Sequence, residues 1–409
     1  MQRTPLPQRI FGPVPFARLA STHTLSASAD AFFAISLAGS LFFNVSVDAA
    51  RPRIILYLAL TMAPFAIVAP LIGPLVDRFG RVRGRVIAVS MLARGILCVF
   101  IAGDLKDLLF YPEVFGVLVL GKGYSVAKSA AVPGLIDGPA GLVAANSRLS
   151  RLASIAGLGA GAVAAGVLSL GGAPLVLRLG ALVYFTAAAL ALRIPSVIEP
   201  PPPPQVERAE LHSAPVVLGA SALTVLRAGI GFLTFLLAFG FRRAGEPVWL
   251  YGAVLAAVGI GYFAATVVSP ALKRHWLREE QLLAAALLVT SAAALACAMR
   301  FGHASLIAAG LGIGLGTNGG RLVFDSVLQR DAPNAARGRS FARFETRFQL
   351  AWITGALVAV VLQLDTRAGL IALGVTLALA LIAYLAGVSI ENRLSRGFQR
   401  VFGRHGPGS

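Results

Sequence analysis

Twelve apolar runs, most of them twenty residues or longer, restrict this chain to one kind of fold. The runs ILYLALTMAPFAIVAPLI and VIAVSMLARGILCVFIAG, either side of a basic loop, show the pattern. Each is close to the ~20 residues needed to cross a bilayer core. In lipid a backbone has no water to bond to, so such segments must satisfy their own N–H and C=O groups as helices. The runs lie at roughly 22–47, 53–76, 84–103, 108–131, 141–169, 173–194, 214–241, 247–271, 281–300, 304–327, 340–364 and 367–390. With 57% hydrophobic and 13% charged residues, the composition excludes an ordinary soluble domain. An all-α membrane protein of twelve spans is the predicted fold class.

Charge then sets the orientation. The formal charge of +18 lies mostly in short loops between the apolar runs, which fits membrane topology better than a nucleic-acid footprint. The basic loops fall on one side when both termini are cytoplasmic, and the reversed topology breaks the positive-inside rule. The first twenty residues carry Arg3, Arg9 and Arg18 and no apolar core, so no cleaved signal is expected. Cys98 and Cys297 both sit inside apolar runs, and no histidine constellation occurs, so neither a disulfide framework, a metal site nor a cofactor is expected.

Between the sixth and seventh runs lies IPSVIEPPPPPQVERAELHSAP. A proline run cannot continue a helix and favours a stiff, solvated conformation. It reads as a linker, with a proline-rich partner motif as the other reading. The expected organisation is a cytoplasmic tail (1–21), a six-helix bundle (22–194), the linker (195–213), a second bundle (214–390) and a basic tail (391–409). The halves look related: a shift of about 194 positions sets Asp137 on Asp331, Pro139 on Pro333, Gly161 on Gly355 and Leu168 on Leu362.

The loop GPLVDRFGRVRGR, Gly73 to Arg85, carries the most specific motif. Gly73, Pro74 and Gly80 suit a tight turn, and its four arginines surround one carboxylate, Asp77. Read as Gly73, Asp77, Arg78, Gly80 and Arg81 after a second span, it resembles the signature of the major facilitator superfamily of transporters. The resemblance implies two pseudo-symmetric six-helix bundles that rock around a midplane site. It also implies that the loop lies beside the start of span eleven and closes a cytoplasmic gate. Lys128, Arg343 and Glu345 complete the candidate gate. Arg339, Arg343 and Arg347 form an i, i+4, i+8 stripe with Glu345 on the opposite side, which is also how a solvated helix face looks. Asp77→Asn or Asp77→Ala is expected to slow transport while leaving membrane insertion intact. Losing a charged helix cap costs about 0.3–2 kcal/mol, enough to bias a balanced equilibrium but not to unfold twelve spans. Wild-type rates in vesicles would remove Asp77 from the gate.

Charges within spans are costly unless paired or wetted. Asp30 in span one is the candidate proton-coupling carboxylate; a structural pair with a nearby base is the alternative. Arg94, Lys122, Arg227 and Arg321 are the candidate substrate cations, with Arg227 nearly opposite Asp30 under the repeat alignment. Lys122 and Lys128 are about 120° apart around a helix and cannot face one spot. Lys128 is placed to bind Asp77, and Arg321 to pair with Asp325 four residues on. In span five, Gly157 and Gly161 form a G-x-x-x-G face for close packing.

No Walker loop is present, so energy is expected from an ion or substrate gradient. The functional expectation is alternating-access transport of a small amphipathic, anionic or zwitterionic molecule, as proton-coupled efflux. An importer, facilitator, lipid flippase or transport-inactive receptor of the same fold are the alternatives. A membrane enzyme would need clustered carboxylates or histidines, and neither is seen. The expected partners are the substrate, protons and the lipid bilayer, with no nucleic acid and a monomeric state. The Arg, Ala, Gly and Pro usage suggests a GC-rich bacterium, hence an inner membrane location.

Overall fold

The computed structural model describes residues 14–37, 83–105, 109–136, 141–195, 213–275, 277–331 and 337–402. Among these every regular element is helical. The helices are α1 (Val14–Leu37), α2 (Arg83–Gly103), α3 (Phe110–Ala131), α4 (Leu142–Ala191), α5 (Ala214–Ala244), α6 (Val248–His275), α7 (Glu279–Met299), α8 (His303–Asp331), α9 (Arg337–Leu362) and α10 (Thr366–Phe402). The second span and the whole signature loop, Gly73, Asp77, Arg78, Gly80 and Arg81, lie outside the described residues, as does most of the proline linker.

Helix ends differ from the apolar runs where polar residues can extend a helix past the hydrocarbon. Helix α1 starts at Val14, inside the segment expected to be tail, and α10 continues past residue 390 to Phe402. Spans five and six are two helical segments, together labelled α4, that meet at Gly172, where φ is 68° and Pro174 follows. A side chain is rarely tolerated at that φ, so the glycine makes the turn. Other ends follow local rules. Helix α5 ends on Gly245 at φ 68°, whose N–H reaches the Arg242 carbonyl. Asp365 caps α10 by accepting the Arg367 N–H at 3.0 Å. Inside α1, Ser21, Thr22, Thr24 and Ser28 each donate to the carbonyl four residues back, which satisfies hydroxyls in an apolar setting.

Two compact units result. The first comprises residues 1–207 with 332–346, so the beginning of α9 groups with the N-terminal half; the second comprises 208–331 with 347–409. In the first unit α1 packs most extensively on α4, and α4 also on α2. In the second, α6 packs on α8, α8 on α7, and α7 on α10. The tight crossings are made by glycines. A Cβ on Gly310 or Gly314 of α8 would run into the backbone of α6 at Val254 or Val258, and one on Gly231 of α5 into α9 at Trp352. Among the described residues the expected close packing at Gly157 and Gly161 is not found: Gly157 has the Ala27 carbonyl, 4.0 Å from such a Cβ, and Gly161 nothing within 4 Å.

Large apolar side chains point outward over much of the surface, among them Leu158, Leu170, Met299 and Val361. This suits a lipid solvent and would be an aggregation surface in water. By length and composition, seven of the described helices can cross a membrane. Helices α1, α3 and α8 fall short of that criterion, and they carry Asp30, Lys122, Lys128 and Arg321.

Candidate functional site

Arg94, midway along α2, is the most deeply placed charge of the first unit, with its side chain 5% exposed. An isolated arginine there would be prohibitive, so its partners define the site. Its Nη2 donates to Asp30 Oδ1 on α1 and, at 2.5 Å, to the Tyr184 hydroxyl in the second segment of α4. Tyr184 in turn donates to the same Asp30 oxygen at 2.5 Å. The guanidinium lies over the Tyr184 ring, 4.4 Å from its centroid, adding a cation–π contact. Gly121 of α3 borders the guanidinium: a Cβ there would make ordinary contact with Nη2, at 3.5 Å.

The pair is lopsided. Arg94 is sealed, whereas the Asp30 side chain is 46% exposed. The carboxylate thus covers the cation on one side and is open on the other. Along the same face of α1, at helical spacing, Ser26 receives Arg94 Nη1 at 3.5 Å, and His23 Nδ1 lies 2.7 Å from the Tyr124 hydroxyl of α3. Two polar contacts, His23 with Tyr124 and Ser26 with Arg94, therefore line this face on the way to Asp30.

The other candidates are placed separately. Lys122 of α3 meets Glu345 at the start of α9, 3.8 Å from its Oε1, so a residue expected at the substrate site pairs with one expected at the gate. Arg343 and Arg347 are exposed, and Arg347 reaches Ser221 at 3.5 Å. Lys128 lies close enough to His23 to affect it. In the second unit, Arg321 Nε donates to Asp325 at 3.0 Å along one face of α8, as their spacing anticipates, and lies 5.9 Å from the Phe348 ring centroid. Arg227 is half-buried on α5. The base joined to Asp30 is Arg94 of its own unit, which the repeat alignment had not singled out.

Sequence reasoning passed over Tyr184, Tyr124, Ser26 and His23, since one mid-span hydroxyl or imidazole gives no periodic signal. It also passed over a cluster in the second unit. Glu279, buried at the start of α7, bonds Lys273 from the end of α6 and Arg330 from the end of α8. Arg330 also holds Asp331, at 2.6 and 2.9 Å. The Asp331 hydrogen bonds, with Glu279 adding to them against the cost of burial, raise the Arg330 guanidinium above its ordinary range. Under the repeat alignment Lys273 falls opposite Asp77, so the second copy of that loop carries its carboxylate six residues later. Glu279→Gln leaves two cations facing a neutral amide. It is expected to lower stability by about 1–3 kcal/mol, the partly exposed Arg330 keeping the loss below that of a fully buried pair. Thermal unfolding in detergent would measure it, and the loss should shrink at high salt.

No family model matches the chain. An uncharacterized protein of Mycobacterium leprae is 29% identical, the match covering 86% of this chain and 68% of the relative. A Mycobacterium tuberculosis protein named an uncharacterized MFS-type transporter is 27% identical, over 95% of this chain and 93% of the relative. Among solved structures, the human organic anion transporter MFSD10 superposes with a TM-score of 0.69 at 14% identity, covering 93% of this chain and all of that one. The fucose transporter FucP in its outward conformation gives 0.70 at 16%, covering 91% and 98%. A bacterial homologue of the iron transporter ferroportin, outward-facing, gives 0.70 at 17%, over the same shares. The chain has the fold of the major facilitator transporters, and one of its relatives is named an MFS-type transporter. That fold supports secondary transport by alternating access, and the relatives and neighbours with functional names are transporters rather than enzymes.

Proposed function

We propose that this protein carries a small amphipathic anion or zwitterion across the bacterial inner membrane as a monomer, with both termini cytoplasmic, coupled to protons through Asp30. The observation that carries the reading is the half-exposed Asp30 carboxylate lying over the sealed Arg94. A proton on Asp30 removes the counter-charge of Arg94, and the uncovered cation then attracts an anion. The likeness to a structure named an organic anion transporter supports the same charge preference.

This electrostatic logic favours a direction of coupling different from the expected antiport. Proton and anion stabilise one another at the pair, so they bind together, which makes cotransport the leading form. Efflux by proton exchange is the second reading; it requires substrate and proton to compete, as a cationic group at Asp30 would make them do. Reconstitution into liposomes with an imposed pH gradient separates the two. Cotransport predicts accumulation of lipophilic anions on the side to which protons flow; exchange predicts movement the opposite way. Preference for matched cations would overturn the anion assignment.

A further inference from the structure

The second unit contains an apolar cavity of about 330 Å³ between α5, α9 and α10. Its size falls within the range of small-molecule pockets. The corresponding place in the first unit is filled. There Phe32 packs with Ala164 and Val176, and its ring base lies against Gly180, where a Cβ would stand 3.0 Å from the Phe32 Cβ. Under the repeat alignment, a shift of about 194, Phe32 falls on Leu226, Gly180 on Gly374 and Ile35 on Gly229. A Cβ on Gly229 would meet Leu373 at 2.8 Å. Ile35 packs against the Phe32 cluster in the first half, whereas its counterpart Gly229 has no side chain to fill the same place.

The lining shows what the space accepts. Its hydroxyls are already used: Thr354 donates to the Leu350 carbonyl at 2.9 Å and Thr376 to that of Ala372 at 2.8 Å. An occupant therefore finds no donor to bond to, and water would be poorly held. At roughly 30 Å³ per water-sized group, the volume takes about ten methylenes. At one end the lining reaches Leu362 and Leu364, in the turn between α9 and α10. Arg243, at the end of α5, is exposed beside that turn, donating to the Gln363 and Leu364 carbonyls at 2.9 Å each. These partners are neutral, so the guanidinium keeps its full charge at the mouth, with exposed Arg242 beside it.

We propose that this cavity holds an acyl chain of an anionic phospholipid from the surrounding bilayer, with its phosphate at Arg243. A hydrocarbon tail matches a lining without free hydrogen-bonding groups, and a phosphate matches the unneutralised arginine at the open end. The site lies wholly within the second unit and stands apart from the transport reading.

Native mass spectrometry of the purified full-length protein, titrated with phosphatidylglycerol or phosphatidylcholine of identical chains, tests the assignment. Wild type is expected to retain one phosphatidylglycerol and to hold it about fivefold more tightly than phosphatidylcholine, the scale of one basic residue near an anionic headgroup. Gly229→Phe places a ring in the cavity from α5 and should lower retention of both lipids at least about tenfold, since each excluded methylene counts. Ala372→Leu fills the cavity from α10 and gives the same readout if the first variant fails to fold. Arg243→Gln should remove the headgroup preference while leaving the chain bound. Undiminished lipid retention in a folded, cavity-filled variant would overturn the proposal, as would equal wild-type affinity for the two lipids. A dimer that dissociates on Gly229→Phe would assign the groove to a second copy of the chain instead.

Discussion

Asp30→Asn is expected to abolish transport driven by a pH gradient while substrate exchange across the membrane continues. Exchange needs no net proton release, so it survives the loss of a titrating group; gradient-driven movement does not. The substitution also leaves the Arg94 charge without its carboxylate. Removing one partner of a buried pair costs about 3–5 kcal/mol, but Asp30 is half exposed, so about 1–3 kcal/mol is the appropriate scale. The Tyr184 hydroxyl and ring remain to hold the guanidinium and limit the damage. Stability and coupling can be separated. Asp30→Asn combined with Arg94→Met removes both charges and should recover most of the lost thermal stability without recovering gradient-driven transport. Wild-type gradient-driven rates in the single variant would assign Asp30 to structure alone.

Gly355→Val is expected to prevent accumulation of folded protein, while Gly161→Val, its counterpart in the repeat, is tolerated. A Cβ on Gly355 would run into the Ala228 carbonyl, which belongs to the backbone of α5 and cannot turn aside. The two helices would have to separate along their crossing, including the contact of Gly231 with Trp352. Overpacking costs about 1–3 kcal/mol where side chains can adjust and more where they cannot, so this site belongs above that range. Among the described residues Gly161 has nothing within 4 Å of its Cβ direction, and a substitution there should change stability by no more than about 0.5 kcal/mol. Fluorescence-detected gel filtration after a heating series compares the two directly. Equal loss in both would mean that the halves pack alike.

That contrast marks how much of the structure could be read in the amino acids. Hydrophobic run length located the described spans because lipid leaves a chain few choices, and most helix ends fall within a few residues of the run boundaries. It could not locate ends where polar residues continue a helix beyond the hydrocarbon, as at Val14 and Phe402. Glycine spacing is equally weak by itself, since Gly157–Gly161 and Gly310–Gly314 share a pattern but only the second is pressed against a neighbouring backbone. The expense of mid-span charge flagged Asp30 and Arg94 separately. Their union depends on which faces of α1 and α2 meet, and the phenol that completes it comes from α4. Glu279 escaped notice because an acidic residue at a helix start is ordinary; only its burial between Lys273 and Arg330 distinguishes it.

The sealed arginine has a consequence for how the chain is made. Helix α2 is apolar enough to enter the bilayer, yet Arg94 at its centre opposes release into lipid by about 2.5–3.5 kcal/mol on insertion scales. Its carboxylate is already synthesised when α2 emerges, but Tyr184 follows 90 residues later. At about 5–20 residues per second, that gap lasts on the order of 5–20 s. During the interval Asp30 is, among the described residues, the carboxylate that meets the arginine, so α1 and α2 are expected to leave the insertion machinery as a pair and wait for α4 to close over them. The ion pair is thus a checkpoint in biogenesis: a nascent chain with Asp30 replaced should linger at the translocon and meet quality-control proteases before any defect in the finished protein can show.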